Sequence, residues 1–325
     1  MKLVWRHGSC LALAVGVAFA SVSAQAQEFP SRPIHLVVPS SPGGSTDMLA
    51  RGLANEMQKQ SGVTVVVENR PGASGAIGVQ HVVRAAPDGY TIIMSVADAI
   101  TTYPMYNPKV SYRLATDLTP VGQVVTTSSV YVVNSKSPWK TLPEFVEASK
   151  KEHLHYATQG GGSVNHLLME ALKKGTGARI EHVPYQGINP AMMSVLKEET
   201  AMVSSSVAGS KAQIADGKLR ALATTRAERY ASLPDVPTMK ELGYPHLTLA
   251  TWFGIFGPAG MPKETTEKLF KMIESAAKSP SFVTLAERLE VDVDPVGGEA
   301  FDAIIAKDTE FWGGLMREAN IKMED

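Results

Sequence analysis

The sequence predicts an α/β protein of two lobes, in which each lobe is a mainly parallel sheet flanked by helices. Two observations lead to this prediction. Short apolar, β-branched runs alternate with longer segments of helical periodicity through most of the chain, which is the pattern of parallel sheets covered by helices. The alternation also occurs twice, and 325 residues is long for one hydrophobic core and comfortable for two.

The first series has the order strand, helix, strand, helix, strand. Its first helix places Leu49, Leu53 and Met57 at i, i+4 and i+8, on one face. Turn signals at RPGASG and PDGY separate the later segments. In chain order, the segments are IHLVV, the helix of Leu49, VTVVVEN, a helix over 76–84 and YTIIMSV.

A second series follows the strand-like run VYVVN, and we expect mainly helix from TWFGIFGPAG onward. We place the crossings between the lobes near Thr127 and Leu249, so that residues 27–127 and 249–325 form lobe 1 and residues 128–248 form lobe 2. In chain order, the segments of the second series are a helix in TLPEFVEASKK, the strand LHYAT, a helix after GGGS, the strand IEHVPY, a helix from Pro190, the run TAMVSSSV and the strand LRALATT; a helix over PKETTEKLFKMIESAAK follows later.

The N-terminus has the features of a secretory signal peptide. Lys2 and Arg6 form a short basic start, residues 11–20 are an apolar run, and Ala24-Gln25-Ala26 has the small-x-small pattern of a cleavage site. The apolar run is too short for a membrane span, which needs about 20 residues. We therefore expect residues 1–26 to be cleaved and the mature protein to be exported and soluble.

Charge and cysteine content narrow the class further. The formal charge of the chain is −1, with no basic surplus that would favour nucleic acid or anionic lipid as a partner. The single cysteine, Cys10, lies in the signal peptide, and His7 stands where a lipoprotein site needs an aliphatic residue. A thiol-free exported chain of this size fits a bacterial periplasm.

Two glycine-rich loops repeat one design. Residues 43–49 and 161–167 both read Gly-Gly-Ser-x-Asp/Asn-x-Leu, and each follows a strand and precedes a helix. Glycine allows positive φ and close approach to the main chain, and we interpret Ser45 and Ser163 as N-caps. The remaining first-turn amides and the helix dipole form an anion site that needs no lysine or arginine. Two such loops facing each other across a cleft suit a small carboxylate.

The chain resembles the Bug receptors, the TctC-like periplasmic solute-binding proteins of tripartite tricarboxylate transporters. The resemblance implies a type II Venus-flytrap fold whose two lobes close on a carboxylated solute and deliver it to membrane permease subunits. It covers nearly the whole mature chain in the stretches PSRPIHLVVPSSPGGSTDMLAR, VVENRPGASGAIG, APDGYT, GGGSVNHL, VPYQGINPA, GKLRALATT, PDVPTMKELG and WFGIFGPAGMP.

The resemblance also implies which residues contact the solute, largely through backbone groups and bridging water. The first loop, the end of the third strand, the second loop, the PYQG turn and the serine run are the segments concerned. The implied residues are Ser40, Ser41, Gly43, Gly44, Ser45, Thr46 and Asp47, then Ala97 and Asp98, then Gly161, Gly162, Ser163 and His166, then Tyr185 and Gln186, and Ser205.

The solute itself is left open. Family members often carry an acidic residue where this chain has Ser204-Ser205-Ser206. Serines cannot neutralise an ammonium group, so the run favours dicarboxylates, tricarboxylates or aromatic acids. Asp98 and Asp47 keep amino acids open, although an acid at the position of Asp47 also suits a helix start. Nicotinate-like ligands are open as well. For His166, a water-linked ligand contact competes with a structural hydrogen bond.

Other classes of function have weaker support. The nucleophile elbow G-x-S-x-G and the Walker A pattern are absent from the sequence, so we expect no enzyme and no cofactor. His153 and His155 without a third ligand make a poor zinc site, and we expect no metal. The protein is expected to be a monomer, and its loaded form has a second possible partner, a membrane sensor kinase, because the same site would serve signalling.

Overall fold

The computed structural model describes residues 29–321, so the predicted signal peptide lies outside the described residues. The strands are β1 Ile34–Val38, β2 Val65–Asn69, β3 Thr91–Val96, β4 Leu118–Asn134, β5 Leu154–Thr158, β6 Ile180–Pro184, β7 Met202–Ser206, β8 Leu219–Thr224, β9 Ala250–Pro258 and β10 Asp292–Gly297. The helices are α1 Ser45–Ser61, α2 Ala76–Val83, α3 Ala97–Ile100, α4 Tyr103–Tyr106, α5 Leu114–Asp117, α6 Leu142–Ser149, α7 Val164–Thr176, α8 Ile188–Leu196, α9 Val207–Ala215, α10 Lys263–Ala277, α11 Pro280–Arg288 and α12 Gly298–Glu318.

One long strand, β4, joins two groups of strands. It pairs with β9 from Leu118 to Ser128 and with β7 from Ser129 onward. The strand order is β2-β1-β3-β9-β4-β7-β5-β6, and β10 and β8 also pair with β4. We name β1, β2, β3, β9 and β10 with their helices the first half, and β5 to β8 with theirs the second half. At the second crossing, Leu249 donates to Thr225 of the second half, and the next residue, Ala250, pairs with Ser128.

The sheet is mixed rather than mainly parallel. The pairs β1-β2, β1-β3, β5-β6 and β5-β7 are parallel, as the alternating pattern predicts. The long crossing strands β4 and β9 are antiparallel to each other and to their other neighbours in the path. The α/β class is thus confirmed, with an antiparallel centre between two parallel ends.

Each half has helices on both faces. In the first half, Leu36 packs with Leu53 of α1 and Ile273 of α10, and Val37 on the opposite face packs in a cluster with α2 and the start of α12. In the second half, α7 packs on Tyr131 and Tyr156 of β4 and β5, and α8 covers the other face. Strand residues that alternate between faces therefore supply two cores in each half.

The last helix contacts both halves. Phe301 and Ile305 lie in a core cluster of the first half, whereas Trp312, Leu315 and Met316 lie in a core cluster of the second. The sequence-based division assigns the whole C-terminal segment to lobe 1. The packing of α12 instead divides this helix between the halves.

Three predictions about elements were wrong. TWFGIFGP forms the strand β9 and not the start of a helical region, because it fills the position between β3 and β4. The sequence prediction also omits α9, whose small residues give little helical periodicity, and β10. Within residues 29–321, no helix has the length and apolar character needed to cross a membrane.

Candidate ligand-binding cleft

Two equivalent loops lie at the carboxyl ends of β1 and β5. Loop 1, residues 39–44, connects β1 to α1, and loop 2, residues 159–163, connects β5 to α7. Each of these strands is the middle member of a parallel group, β2-β1-β3 and β6-β5-β7. The chain therefore leaves each middle strand at a topological switch point, where open α/β sheets bind ligands.

Helix α1 begins without a side-chain cap. Its N-cap is Gly44, with extended backbone (φ −77°, ψ 168°) and no capping side chain. The prediction of Ser45 as the N-cap is therefore wrong, since Ser45 is the first helical residue. First-turn amides have no partner within the helix and lie at the positive end of its dipole. Loop 1 thus presents the N–H groups of Ser45 and Thr46 in the arrangement that binds anions.

Asp47 stabilises the conformation of loop 1 through hydrogen bonds. Its carboxylate accepts from the N–H of Gly43 (2.9 Å), the amide of Asn69 (2.9 Å) and Nε of Arg51 (3.1 Å). Burial raises the pKa of this carboxyl, but the bonds from Arg51, Gly43 and Asn69 outweigh burial and the net pKa is lowered. Asp47 is 3% exposed, so its charge serves the loop. Gly43 has φ +85°, a turn conformation that suits glycine.

Loop 2 uses its own polar groups internally. The hydroxyl of Ser163 accepts from the N–H of His166 (3.3 Å), which confirms Ser163 as the N-cap of α7, and donates to the carbonyl of Gly160 (2.7 Å). The N–H of Gly162 donates to Nδ1 of His166 (3.1 Å). His166 therefore has the structural hydrogen bond that was one of its two predicted roles, and this bond requires an unprotonated Nδ1.

A second histidine, His182, packs against the ring of His166. The rings of His166 and His182 stack with centroids 3.8 Å apart, and Nε2 of His182 lies 2.6 Å from the hydroxyl of Thr158. Burial lowers the pKa of His166 to about 3 and that of His182 to about 4. Both rings are neutral at neutral pH and supply a rigid base for loop 2 without a positive charge.

Residues of the first half reach across to loop 2. A Cβ built on Gly161 would lie 2.1 Å from Oη of Tyr106, and one on Gly162 would lie 2.4 Å from Cγ of the same ring. Only glycines permit so close an approach. The carboxylate of Asp98, in the first turn of α3, accepts from the main-chain N–H of Val164, the first residue of α7. The segments that follow β3 in the first half thus contact loop 2 of the second half.

Comparison with known proteins identifies the family of the chain. The family model described as "Tripartite tricarboxylate transporter family receptor" matches residues 49–321. The chain belongs to this receptor family. The receptor is similar to Protein BugT of Bordetella pertussis, with 33% identity over 317 residues that cover 96% of this chain and 97% of BugT.

Solved structures show the same similarity. Periplasmic binding protein BugD is 33% identical to the receptor, with a TM-score of 0.77 over 91% of this chain and 100% of BugD. The R. palustris protein Rpa4515, solved with adipate, has a TM-score of 0.80 and 28% identity over 90% of this chain and 99% of its own. These relatives are binding proteins for transport, so the receptor belongs with binding proteins and not with enzymes.

The other predicted contact residues differ in their exposure to solvent. Ser41, Gly43, Gly44 and Gln186 are exposed, and Ser40, Ser45, Thr46, Asp98, Gly161, Ser163 and Tyr185 are partly exposed. Ala97 is buried. Ser205 is fully buried, and its hydroxyl donates to the carbonyl of Ser206 (3.0 Å) beside Gly209 of α9. The hydroxyl of Ser205 thus has a partner within its own strand.

The sequence does not predict two residues that make contacts between the halves. Tyr106 and Val164 lack a local motif because each acts on a segment distant in sequence. His153 and His155 lie beside Glu181 at a surface edge, and no group of three metal-ligating side chains is found in the described part of the chain. Trp252 and Phe253 are buried in the core.

Proposed function

We propose that this receptor captures a small carboxylate between its two halves in the periplasm and delivers it to the membrane subunits of a tripartite tricarboxylate transporter. The observation that carries the proposal is the N-terminus of α1, which has no side-chain cap and lies at the switch point of β1. Main-chain amides in this position bind carboxylates without a cationic side chain. The adipate complex of Rpa4515 supports the same ligand class.

The contacts with the solute come mainly from loop 1 in this proposal. Its amides hold one carboxylate, and loop 2, the start of α3 and the turn after β6 form the rest of the wall. Asp47, Gly162 and His166 shape the loops through internal hydrogen bonds, and Ser205 supports β7. The residues we place at the solute are Ser40, Ser41, Gly43, Gly44, Ser45, Thr46, Ala97, Asp98, Gly161, Ser163, Tyr185 and Gln186.

Closure couples binding to delivery. A solute that contacts both walls only in the closed form shifts the population toward that form by its differential affinity. We propose that the halves move as lobes about the points where β4 changes partners after Ser128 and where the chain returns at Leu249. We further propose cleavage of residues 1–26, a periplasmic location and a monomeric receptor.

A ligand screen on the chain purified from the periplasm of an expression host tests the proposal. Carboxylates are compared with their matched amides by thermal unfolding. A ligand at 100 times its Kd stabilises the folded protein by about 2.7 kcal/mol. Carboxylates that bind while their amides do not would support anion capture. A receptor stabilised by neutral amides and by no carboxylate would refute it.

A main-chain substitution locates the anion. Ser45→Pro removes one amide donor, and proline is tolerated at the first helical position after an extended residue such as Gly44. Ser45→Ala removes the hydroxyl and keeps the amide. Loss of a hydrogen bond to a charged group costs about 1.5–3 kcal/mol, so we expect Ser45→Pro to weaken carboxylate binding at least tenfold and Ser45→Ala to weaken it less. Equal effects would contradict binding through the amide.

A further inference from the structure

Asp98 shares a wall with loop 1. It follows β3, which is the direct neighbour of β1 in the sheet. A Cβ built on Gly75 would lie 3.1 Å from the side chain of Ala99 and 3.3 Å from that of Pro39. The start of α3 and the end of β1 therefore pack around the same glycine. We therefore place Asp98 on the same side of the molecule as loop 1.

The carboxylate of Asp98 has hydrogen-bond donors from both halves of the molecule. It accepts from the N–H of Ala99 in its own helix (2.8 Å) and from the N–H of Val164 at the start of α7. The neighbouring contact of Tyr106 with Gly161 brings the same two walls together independently. The carboxyl group of the protein itself thus lies where the repeated loop design places an anion of the ligand.

The two loops differ in how their amides are used. In loop 2, Gly160 donates to Thr158 (3.2 Å), Gly162 donates to His166, and Val164 faces Asp98. In loop 1, the amide of Gly43 is used internally, whereas α1 begins with no side-chain cap. The sequence repeat therefore describes two sites of unequal chemistry, with a ligand carboxylate favoured at loop 1.

The negative charge of Asp98 has no cationic partner among the groups that act on it. Burial raises the pKa of this carboxyl, and the amides of Ala99, Val164 and Asp98 itself only partly oppose the effect. A positive or hydrogen-bond-donating group beside Asp98 would relieve the cost of burying the charge, and a second carboxylate would add to that cost. Such a repulsive element discriminates between otherwise similar ligands.

We propose that Asp98 sets the specificity of the receptor for solutes with one carboxylate, held by loop 1, and a hydrogen-bond donor at the opposite end, an ammonium group being the strongest. This inference rests on the proposed function and selects among the carboxylates that the sequence leaves open. It favours amino-carboxylates over dicarboxylates, against the preference drawn from the Ser204-Ser205-Ser206 run.

Calorimetric titration with matched ligands tests the inference. Unbranched ω-amino acids, ω-hydroxy acids and dicarboxylates of equal chain length are compared on the wild type. We expect the amino or hydroxy acid to bind at least about tenfold tighter than its dicarboxylate, the size of one charge-assisted hydrogen bond. Asp98→Asn should reduce this ratio about tenfold or more. Glu147→Gln makes the same charge change on the exposed surface of α6, where Glu147 pairs with Lys150, and should leave the ratio unchanged.

A second pair of variants locates the effect at α7. Asp98→Ala releases the amide of Val164, so dicarboxylate binding should tighten. Val164→Pro in that background removes the amide at a position that tolerates proline, because the N-cap Ser163 is extended (φ −70°, ψ 157°). The gain should then disappear. A gain that persists would show that the second carboxylate binds elsewhere and would overturn the assignment.

The outcomes separate the inference from the function on which it rests. If carboxylates bind and Ser45→Pro weakens them, but the ratio favours dicarboxylates or ignores Asp98→Asn, only the inference fails. If no carboxylate binds, or binding is insensitive to Ser45→Pro, the proposed function fails and the inference with it.

Discussion

One methyl group added at Gly161 tests whether Tyr106 holds the two halves together. A Cβ there would lie 2.1 Å from Oη and 2.8 Å from Cζ of Tyr106, far inside an ordinary contact of about 3.5–4.0 Å. Gly161 is not among the glycines with positive φ, so Gly161→Ala adds a clash without backbone strain. We expect the free energy of unfolding to fall by about 1–3 kcal/mol, the usual cost of overpacking, because a rigid ring must shift.

The matched control removes the obstacle. In a Tyr106→Ala background, the alanine at position 161 has room, and the same substitution should cost close to nothing. Urea unfolding of the four proteins gives the coupling energy directly. Small-angle scattering of Gly161→Ala without added ligand should also show a more open average shape. If Gly161→Ala costs as much without the Tyr106 ring as with it, the contact across the cleft does not exist as described.

Three further predictions concern stability. Asp47→Asn should lower the free energy of unfolding by about 1.5–3 kcal/mol. Because the pKa of Asp47 is lowered in the folded state, the wild type keeps its full advantage above the usual pKa of 3.8 and loses it only as the pH falls further. Unfolding curves recorded over a series of acidic pH values measure this loss. His166 and His182 have pKa values of about 3 and about 4 in the folded protein, below the usual 6.5. The unfolded chain therefore takes up protons first as the pH drops. The free energy of unfolding should fall between pH 6.5 and pH 4, by up to about 1.4 kcal/mol per pH unit for each ring. His182→Gln should reduce that slope between pH 7 and 5, and an unchanged slope would contradict the assignment. Tyr230→Phe removes the hydroxyl that donates to the carbonyl of Ser128 (3.1 Å) and accepts from its N–H (3.3 Å), where β4 changes partners. The substitution should lower the free energy of unfolding by about 1–3 kcal/mol and lower the Tm of the protein. A Tm equal to that of the wild type would exclude a stabilising role for this pair.

Periodicity predicts the elements whose partners are local. The helix of Leu49, Leu53 and Met57 follows from residue spacing. The strands β1, β2 and β3 follow from short apolar runs bounded by turn signals, and their pairing partners lie within the same series. The strand β9 does not follow, because its aromatic residues and glycines are explained only by its position between β3 and β4. Long-range pairing overrides local propensity there.

The candidate site divides in the same way. The glycine-rich repeat locates loops 1 and 2, since helix starts after parallel strands meet at one edge of a sheet. The repeat cannot show that Gly44 rather than Ser45 is the cap, or that Asp98 reaches Val164. Both depend on backbone angles and on how closely the halves approach, and neither property leaves a local trace in the sequence.

Helix α12 constrains how the receptor opens. Its 21 residues form a rod about 31 Å long at 1.5 Å per residue, anchored near one end by Phe301 and near the other by Trp312. A helix that packs in both halves resists stretching, so in the movement we propose the halves turn relative to each other and do not simply separate. For the proposed cleft, α12 would therefore limit how far the mouth opens, and so the bulk of the solutes that enter, independently of their affinity.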